Sequence, residues 1–250
     1  MSFRKTLTRV VAVVAVVLTV GVAQADTIYD FSDSFNTTYA SNSSPYGVWS
    51  YVTYDTSNPV PSTATSMTYQ HQDPTYNYLF GWALDSTTTP GVMYNGSSSD
   101  ILHASVMWLA ETPILSGPRG PAVLRWTAPG AGTVDVSATF DAVTDAWHIY
   151  SSSYPGRRPN TQVFLNNTLV DPMTALTSYR ATHAYAGILT VAAGDTLDFV
   201  GRGATVTDAS TGSIVIYGTI AFTPIPEPST LALLATGLVG LLCYAWRKRR

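Results

Sequence analysis

Residues 133–140 constrain the fold more than any other stretch of this chain. Val134, Val136, Ala138 and Phe140 alternate there with Thr133, Asp135, Ser137 and Thr139. Successive side chains of a strand point to opposite faces, so this pattern predicts a half-buried β-strand. Residues 122–127 (AVLRWT) form a second β-rich run. The link Ala128-Pro129-Gly130-Ala131-Gly132 has the composition of a turn, which predicts a hairpin between the two runs.

The same grammar recurs downstream. Residues 161–165 and 168–170 flank Asn166-Asn167, two residues that tolerate positive φ, and predict a tight hairpin. Residues 188–191 and 196–200 flank the turn Ala192-Ala193-Gly194-Asp195. Residues 213–222 place Ile214, Ile216, Ile220 and Phe222 on one face. Towards the amino end the strand signals fall at 27–31, 47–54, 79–83 and 101–108. No window of the middle carries a long helical period, although 171–183 has room for one helical turn. Many short strands separated by turn residues predict an all-β, antiparallel β-sandwich over residues 26–223.

The two ends read differently. Arg4, Lys5 and Arg9 precede an apolar run from Val10, and Ala23-Gln24-Ala25 supplies a small-x-small cleavage signal. Residues 1–25 are therefore expected to be a signal peptide, cut by signal peptidase after passage through the Sec export machinery. At the other end, prolines 224, 226 and 228 keep the backbone extended and remove three donors. The apolar run 231–246 follows, then Arg247, Lys248, Arg249 and Arg250 act as a basic stop. This predicts a single C-terminal transmembrane helix that anchors the precursor in the inner membrane.

Positive charge is concentrated at these ends. Only 12% of the 250 residues are charged. Residues 26–223 hold six arginines, no lysine and fifteen acidic residues, a net charge of −9. Nucleic-acid affinity is dominated by phosphate neutralisation, so an acidic body excludes that partner. The lone cysteine, Cys243, lies in the apolar tail, so no intrachain disulfide holds the body together.

Pro226-Glu227-Pro228, followed by Ser229-Thr230, an apolar run and a basic end, resembles the PEP-CTERM sorting segment. The resemblance implies recognition and cleavage by an exosortase-type membrane protease in a bacterium that makes exopolysaccharide. It places the mature protein in the cell envelope or extracellular matrix. Database usage sometimes links this segment to ice-binding proteins, but no T-x-T ladder repeats along the chain. In the body, Arg125-Trp126-Thr127-Ala128-Pro129-Gly130-Ala131-Gly132-Thr133 resembles a hairpin of exported planctomycete-type β-sandwich proteins. The segments 44–51 (SPYGVWSY) and 191–200 (VAAGDTLDFV) are similar to two further stretches of those proteins. That resemblance implies a jelly-roll-like sandwich similar to carbohydrate-binding modules, with no established activity.

Catalytic signatures are absent. The sequence holds no G-x-S-x-G elbow, H-E-x-x-H, P-loop, EF-hand loop or paired cysteines. His71, His103, His148 and His183 are far apart, and Glu111 is the only glutamate of the middle. No enzyme activity, cofactor or metal centre is expected. Asp141 with Asp145, and Asp195 with Asp198, offer pairs for a structural Ca²⁺, although turn chemistry accounts for Asp more economically. Aromatic rings remain as candidate ligand contacts, because sugar faces stack on them. Trp49 and Trp126 are expected in the core. Trp147, Tyr150, Tyr154 and Arg157 fall on a long Ser-, Pro- and Arg-rich loop and are the expected glycan contacts. The sequence thus predicts an exported, non-enzymatic sandwich of the envelope or exopolysaccharide matrix, with a glycan-binding module as the alternative and a hydrolase less favoured.

Overall fold

In the computed structural model the described residues are 25–32, 47–54, 64–72, 79–83, 91–95, 107–110, 120–142, 159–178, 180–203, 214–225 and 230–248. In chain order the strands are β1 (Thr27–Asp30), β2 (Trp49–Thr53), β3 (Thr65–Ser66), β4 (Tyr69–Gln72), β5 (Leu79–Ala83), β6 (Gly91–Asn95) and β7 (Met107–Ala110). They continue as β8 (Ala122–Thr127), β9 (Gly132–Ala142), β10 (Pro159–Leu165), β11 (Thr168–Ala175), β12 (Thr182–Val191), β13 (Thr196–Gly203) and β14 (Ile214–Pro224). One helix, α1 (Thr230–Lys248), follows.

The strands form two sheets. The first runs β12-β9-β14-β7-β6-β5-β4, with β1 also paired to β14, and the second runs β11-β10-β13-β8-β2-β3. Every registered pairing is antiparallel. From β8 onward the chain changes sheet at each connection except β10 to β11, the jelly-roll pattern of a sandwich.

The predicted alternation decides which faces meet. Val134, Val136, Ala138 and Phe140 of β9 are buried, whereas Asp135 and Ser137 are exposed. Ile214, Ile216, Ile220 and Phe222 of β14 lie beside them in one core with Leu124, Trp126, Val163, Leu197 and Phe199 of the second sheet. Aromatic rings bridge the gap. Tyr51 of β2 stacks on Trp82 of β5 with centroids 6.2 Å apart, and Phe31 meets Phe199 edge-on at 4.7 Å. Trp49, Trp82 and Trp126 are all core residues. Gly218 interrupts the apolar row of β14 because a Cβ there would lie 1.9 Å from the Ser137 carbonyl oxygen, and its φ of 133° suits glycine.

Several expectations need correction. The link 128–132 does not close a hairpin: β8 and β9 belong to opposite sheets. The turn expected at 192–195 does form, and it carries the chain from β12 in one sheet to β13 in the other. Turn residues specify a reversal but not its partner, and a few residues suffice to step across sheets packed ~10 Å apart. The two corners bond each other instead: Ala128 N donates to Asp195 O at 2.8 Å and Gly194 N donates to Ala128 O at 2.9 Å. The Asn166-Asn167 hairpin does form, with φ of 48° and 67°. Of 171–183, where a helical turn had room, 171–175 belong to β11 and 182–183 to β12, both longer than their patterns suggested. The expected strand at 101–108 is described only from Met107, where β7 begins.

The transmembrane helix is also corrected. The helix forms over Thr230–Lys248, but among the described residues no helix is long and apolar enough to cross a membrane. Its apolar part, 231–246, rises about 24 Å against a hydrocarbon core of ~30 Å, and Arg247 and Lys248 occupy its last turn. The expected signal peptide lies outside the described residues, apart from the exposed Ala25.

Trp126, on the second sheet, is fully buried and meets two rings of the first, Tyr29 at 5.8 Å and Phe222 at 6.1 Å. Trp126→Ala is expected to lower stability by about 3–5 kcal/mol, the usual cost of emptying so large a core site. Urea unfolding monitored by circular dichroism measures it as a lower midpoint.

Candidate functional site

Among the described residues the most concentrated polar chemistry lies on the outer face of the second sheet. Because Leu124 and Trp126 point into the core, period two turns Val123 and Arg125 outward on β8. The same parity on β13 sends Leu197 and Phe199 inward and Asp198 and Val200 outward. Asp198 stands directly opposite Arg125 in the ladder. Tyr54, just past β2, completes the group, and Val52, Val123, Phe164 and Val200 make a second apolar cluster with it.

The contacts form a closed set. Arg125 Nε donates to Asp198 Oδ1 at 2.6 Å and Arg125 Nη2 donates to Oδ2 at 2.9 Å. The Tyr54 hydroxyl also donates to Oδ2. Asp198 is 1% exposed, and the Arg125 side chain 18%. A forked guanidinium on a carboxylate is the strong form of such a pair. Burial, then the charge and hydrogen bond of Asp198, raises the Tyr54 pKa far above the usual tyrosine range. Burial works against the Arg125 charge, but bonding to Asp198 outweighs it and lifts the guanidinium pKa further. Every proton here is held tightly and both carboxylate oxygens are occupied, so the group ties β2, β8 and β13 together rather than moving a proton.

A second pair connects the sheets. His183 Nε2 of β12 lies 2.7 Å from Asp171 Oδ2 of β11, and the imidazole stacks on Phe140 at 6.3 Å. Burial and the nearby Asp171 charge raise the Tyr185 pKa. Asp141, the third buried acid, approaches Arg180 Nε at 3.5 Å.

The carboxylate pairs considered for Ca²⁺ are therefore divided among separate tasks. Asp195 Oδ2 accepts from Ala192 N at 2.7 Å within its turn, while Asp198 serves Arg125. Asp145 lies outside the described residues, as do Trp147, Tyr150, Tyr154 and Arg157. Among the described residues no three His, Cys, Asp or Glu side chains gather as a metal group would require. Pro226, Glu227, Pro228 and Ser229 also lie outside them, with Ala23, Arg249 and Arg250. Arg247 and Lys248 close α1, both exposed. The Arg125–Asp198 pair escaped the sequence reading, although its signal was present: each is the lone charge at an outward position between two apolar inward ones.

The chain end matches the family model described as the PEP-CTERM protein-sorting motif, over residues 224–250. The chain carries a PEP-CTERM sorting motif. No curated protein matches the chain. Solved structures similar to it include the K1 cleaved adhesin domain of Lys-gingipain from Porphyromonas gingivalis W83, 9% identical, with 81% of this chain and 99% of that one covered at a TM-score of 0.39. Another is the CBM51 from Clostridium perfringens GH95 in complex with methyl-galactose, 10% identical over 78% of this chain and 99% of that one, at 0.33. A third is a family 35 carbohydrate binding module from Clostridium thermocellum, 11% identical over 45% and 86%, at 0.25. The PEP-CTERM motif marks the protein as exported and sorted to the envelope or extracellular space.

Two outcomes test the buried network. Asp198→Ala is expected to cost about 3 kcal/mol because it leaves a largely buried guanidinium without its partner, whereas Arg125→Met with Asp198→Leu costs less. Denaturant titration of both variants distinguishes them. The second outcome concerns pH. The folded pKa of Tyr54 lies above the unfolded value of about 10, so its contribution is complete below pH 10 and declines as pH rises further. The unfolded chain then releases a proton that the folded chain retains, and stability falls by about 1.4 kcal/mol per pH unit for this group. Tyr54→Phe removes one proton from that slope in unfolding titrations between pH 9 and 11.5.

Proposed function

We propose that this protein is a non-enzymatic β-sandwich of the cell envelope or exopolysaccharide matrix, delivered as a precursor and released from its tail by an exosortase-type protease. The observation that carries the proposal is the PEP-CTERM match over residues 224–250. The tail's chemistry supports it. Val239, Leu241, Leu242, Tyr244 and Trp246 are exposed around α1, a distribution that wraps its circumference. A helix apolar on all sides belongs in a core or a membrane rather than in water. Arg247 and Lys248 at its end suit the headgroup region, where long basic side chains extend towards water. The helix, too short to cross, therefore associates with the inner membrane, while prolines 226 and 228, which disfavour helix, leave that segment available to a protease. Signal peptidase and the Sec machinery act earlier, at Ala23 and Ala25.

A glycan-binding role is the second reading, and its possible contacts are now fewer. Trp49, Trp82 and Trp126 are used in the core, so it depends on Trp147, Tyr150, Tyr154 and Arg157. Exopolysaccharide is the partner it implies.

Processing is measured by intact mass in a host with the sorting protease. The mature chain is expected to lack Cys243, and Glu227→Ala to accumulate precursor. A mature chain that keeps Cys243 overturns the cleavage proposal. For the glycan reading, Trp147→Ala and Tyr154→Ala are expected to abolish binding on a glycan array, and no binding by the unaltered protein to the host's own polysaccharide removes that reading.

A further inference from the structure

Sheet edges expose unpaired backbone donors and acceptors, and natural proteins usually shorten, charge or kink them. The terminal strands of this sandwich differ sharply in that respect. Among the described residues β3 has two residues, and β1 and β4 have four each. β11 has eight, but it contains Asp171 and Pro172 and its pairing with β10 slips twice in register. β12 has ten residues, Thr182–Val191, paired to β9 without a register shift along its full length. It contains no proline and no Lys, Arg, Asp or Glu, and its one histidine is engaged with Asp171.

We propose that the edge of β12, which pairs with no strand but β9 among the described residues, is a self-association surface, on which a second copy of this chain pairs its own β12 antiparallel and joins the two larger sheets into one. The side-chain pattern is self-complementary. A two-fold axis at Ala186 places Ala184 opposite Ile188 and Thr182 opposite Thr190 on the outer face, a small residue against a large one and a hydroxyl against a hydroxyl. Ile188 is 72% exposed, the most exposed large apolar side chain of the described sandwich. Charge does not oppose pairing at this edge: the body has a net charge of −9, but β12 carries no acidic residue to face its own copy.

The area is sufficient. The His183–Asp171 contact puts β11 on the same side of the sandwich, where Leu169 and Met173 are 47% and 54% exposed. A side about 33 Å long and roughly 20 Å wide, two sheets deep, gives about 1,300 Å² over both copies, just above the ~1,200 Å² of a specific interface.

The test uses the full chain in detergent with Cys243→Ser, so that the sequence contains no other thiol. Sedimentation velocity is expected to show a dimer in the micromolar range, and Ile188→Lys, at an exposed position, to weaken it at least tenfold without altering the circular dichroism spectrum. Ala186→Cys is expected to give a disulfide-linked dimer under mild oxidation, while Ser137→Cys on the neighbouring strand does not. A chain that remains monomeric throughout, or a dimer that withstands Ile188→Lys and fails to cross-link through Ala186→Cys, overturns the proposal.

Discussion

The second sheet buries residues on both faces of its central strands, and this constraint governs the rest of the architecture. β8 and β13 turn one face to the aromatic core and the other to Val52, Tyr54 and Phe164. The outward face leaves little water for a charge, yet each strand carries one there. An isolated buried ion costs several kcal/mol, so Arg125 and Asp198 must lie opposite each other and must share the remaining lone pairs with Tyr54. A slip of one residue would move the two charges to opposite faces of their strands. The pair therefore specifies the β8–β13 register as well as stabilising it. Segments 44–51, 122–133 and 191–200, singled out separately in the sequence, contribute the adjacent strands β2, β8 and β13.

How much of this was legible depends on whether the information is local. The alternation in 133–140 identified β9 and its inward row correctly, because burial of one face imposes period two wherever the strand lies. Asn166-Asn167 identified a hairpin because the two adjacent residues adopt the positive φ such a turn needs. The links at 128–132 and 192–195 used the same turn vocabulary but made sheet-crossing corners. Their partner is fixed by core packing between segments some sixty residues apart, which no local pattern records. β4 and β6 were missed for a related reason: short strands rich in Gln, Gly and Asn have little apolar periodicity. The Arg125–Asp198 pair needed the register before it could be recognised.

The tail and the body are under different physical demands. The tail is legible as a linear signal because a proline-rich segment, an apolar helix and a basic end follow one another in sequence. The body's residues act in space. Asp195 and Asp198 are three positions apart and have no shared task, whereas Arg125 and Asp198 are 73 apart and form one group. Adjacency in sequence was informative for sorting and misleading for the sandwich.

The position of β14 gives the molecule a mechanical character. This strand is the last before the tail, and it lies inside its sheet, paired to β1 and β7 and next to β9. Any load carried through the C-terminus enters along the axis of β14. Hydrogen bonds perpendicular to that axis are then strained together in shear, not opened one after another as in unzipping. Gly218, pressed against the Ser137 carbonyl, keeps the β9 flank of that strand at closest approach. A tether at this end pulls on a strand held inside its sheet rather than on one at its edge.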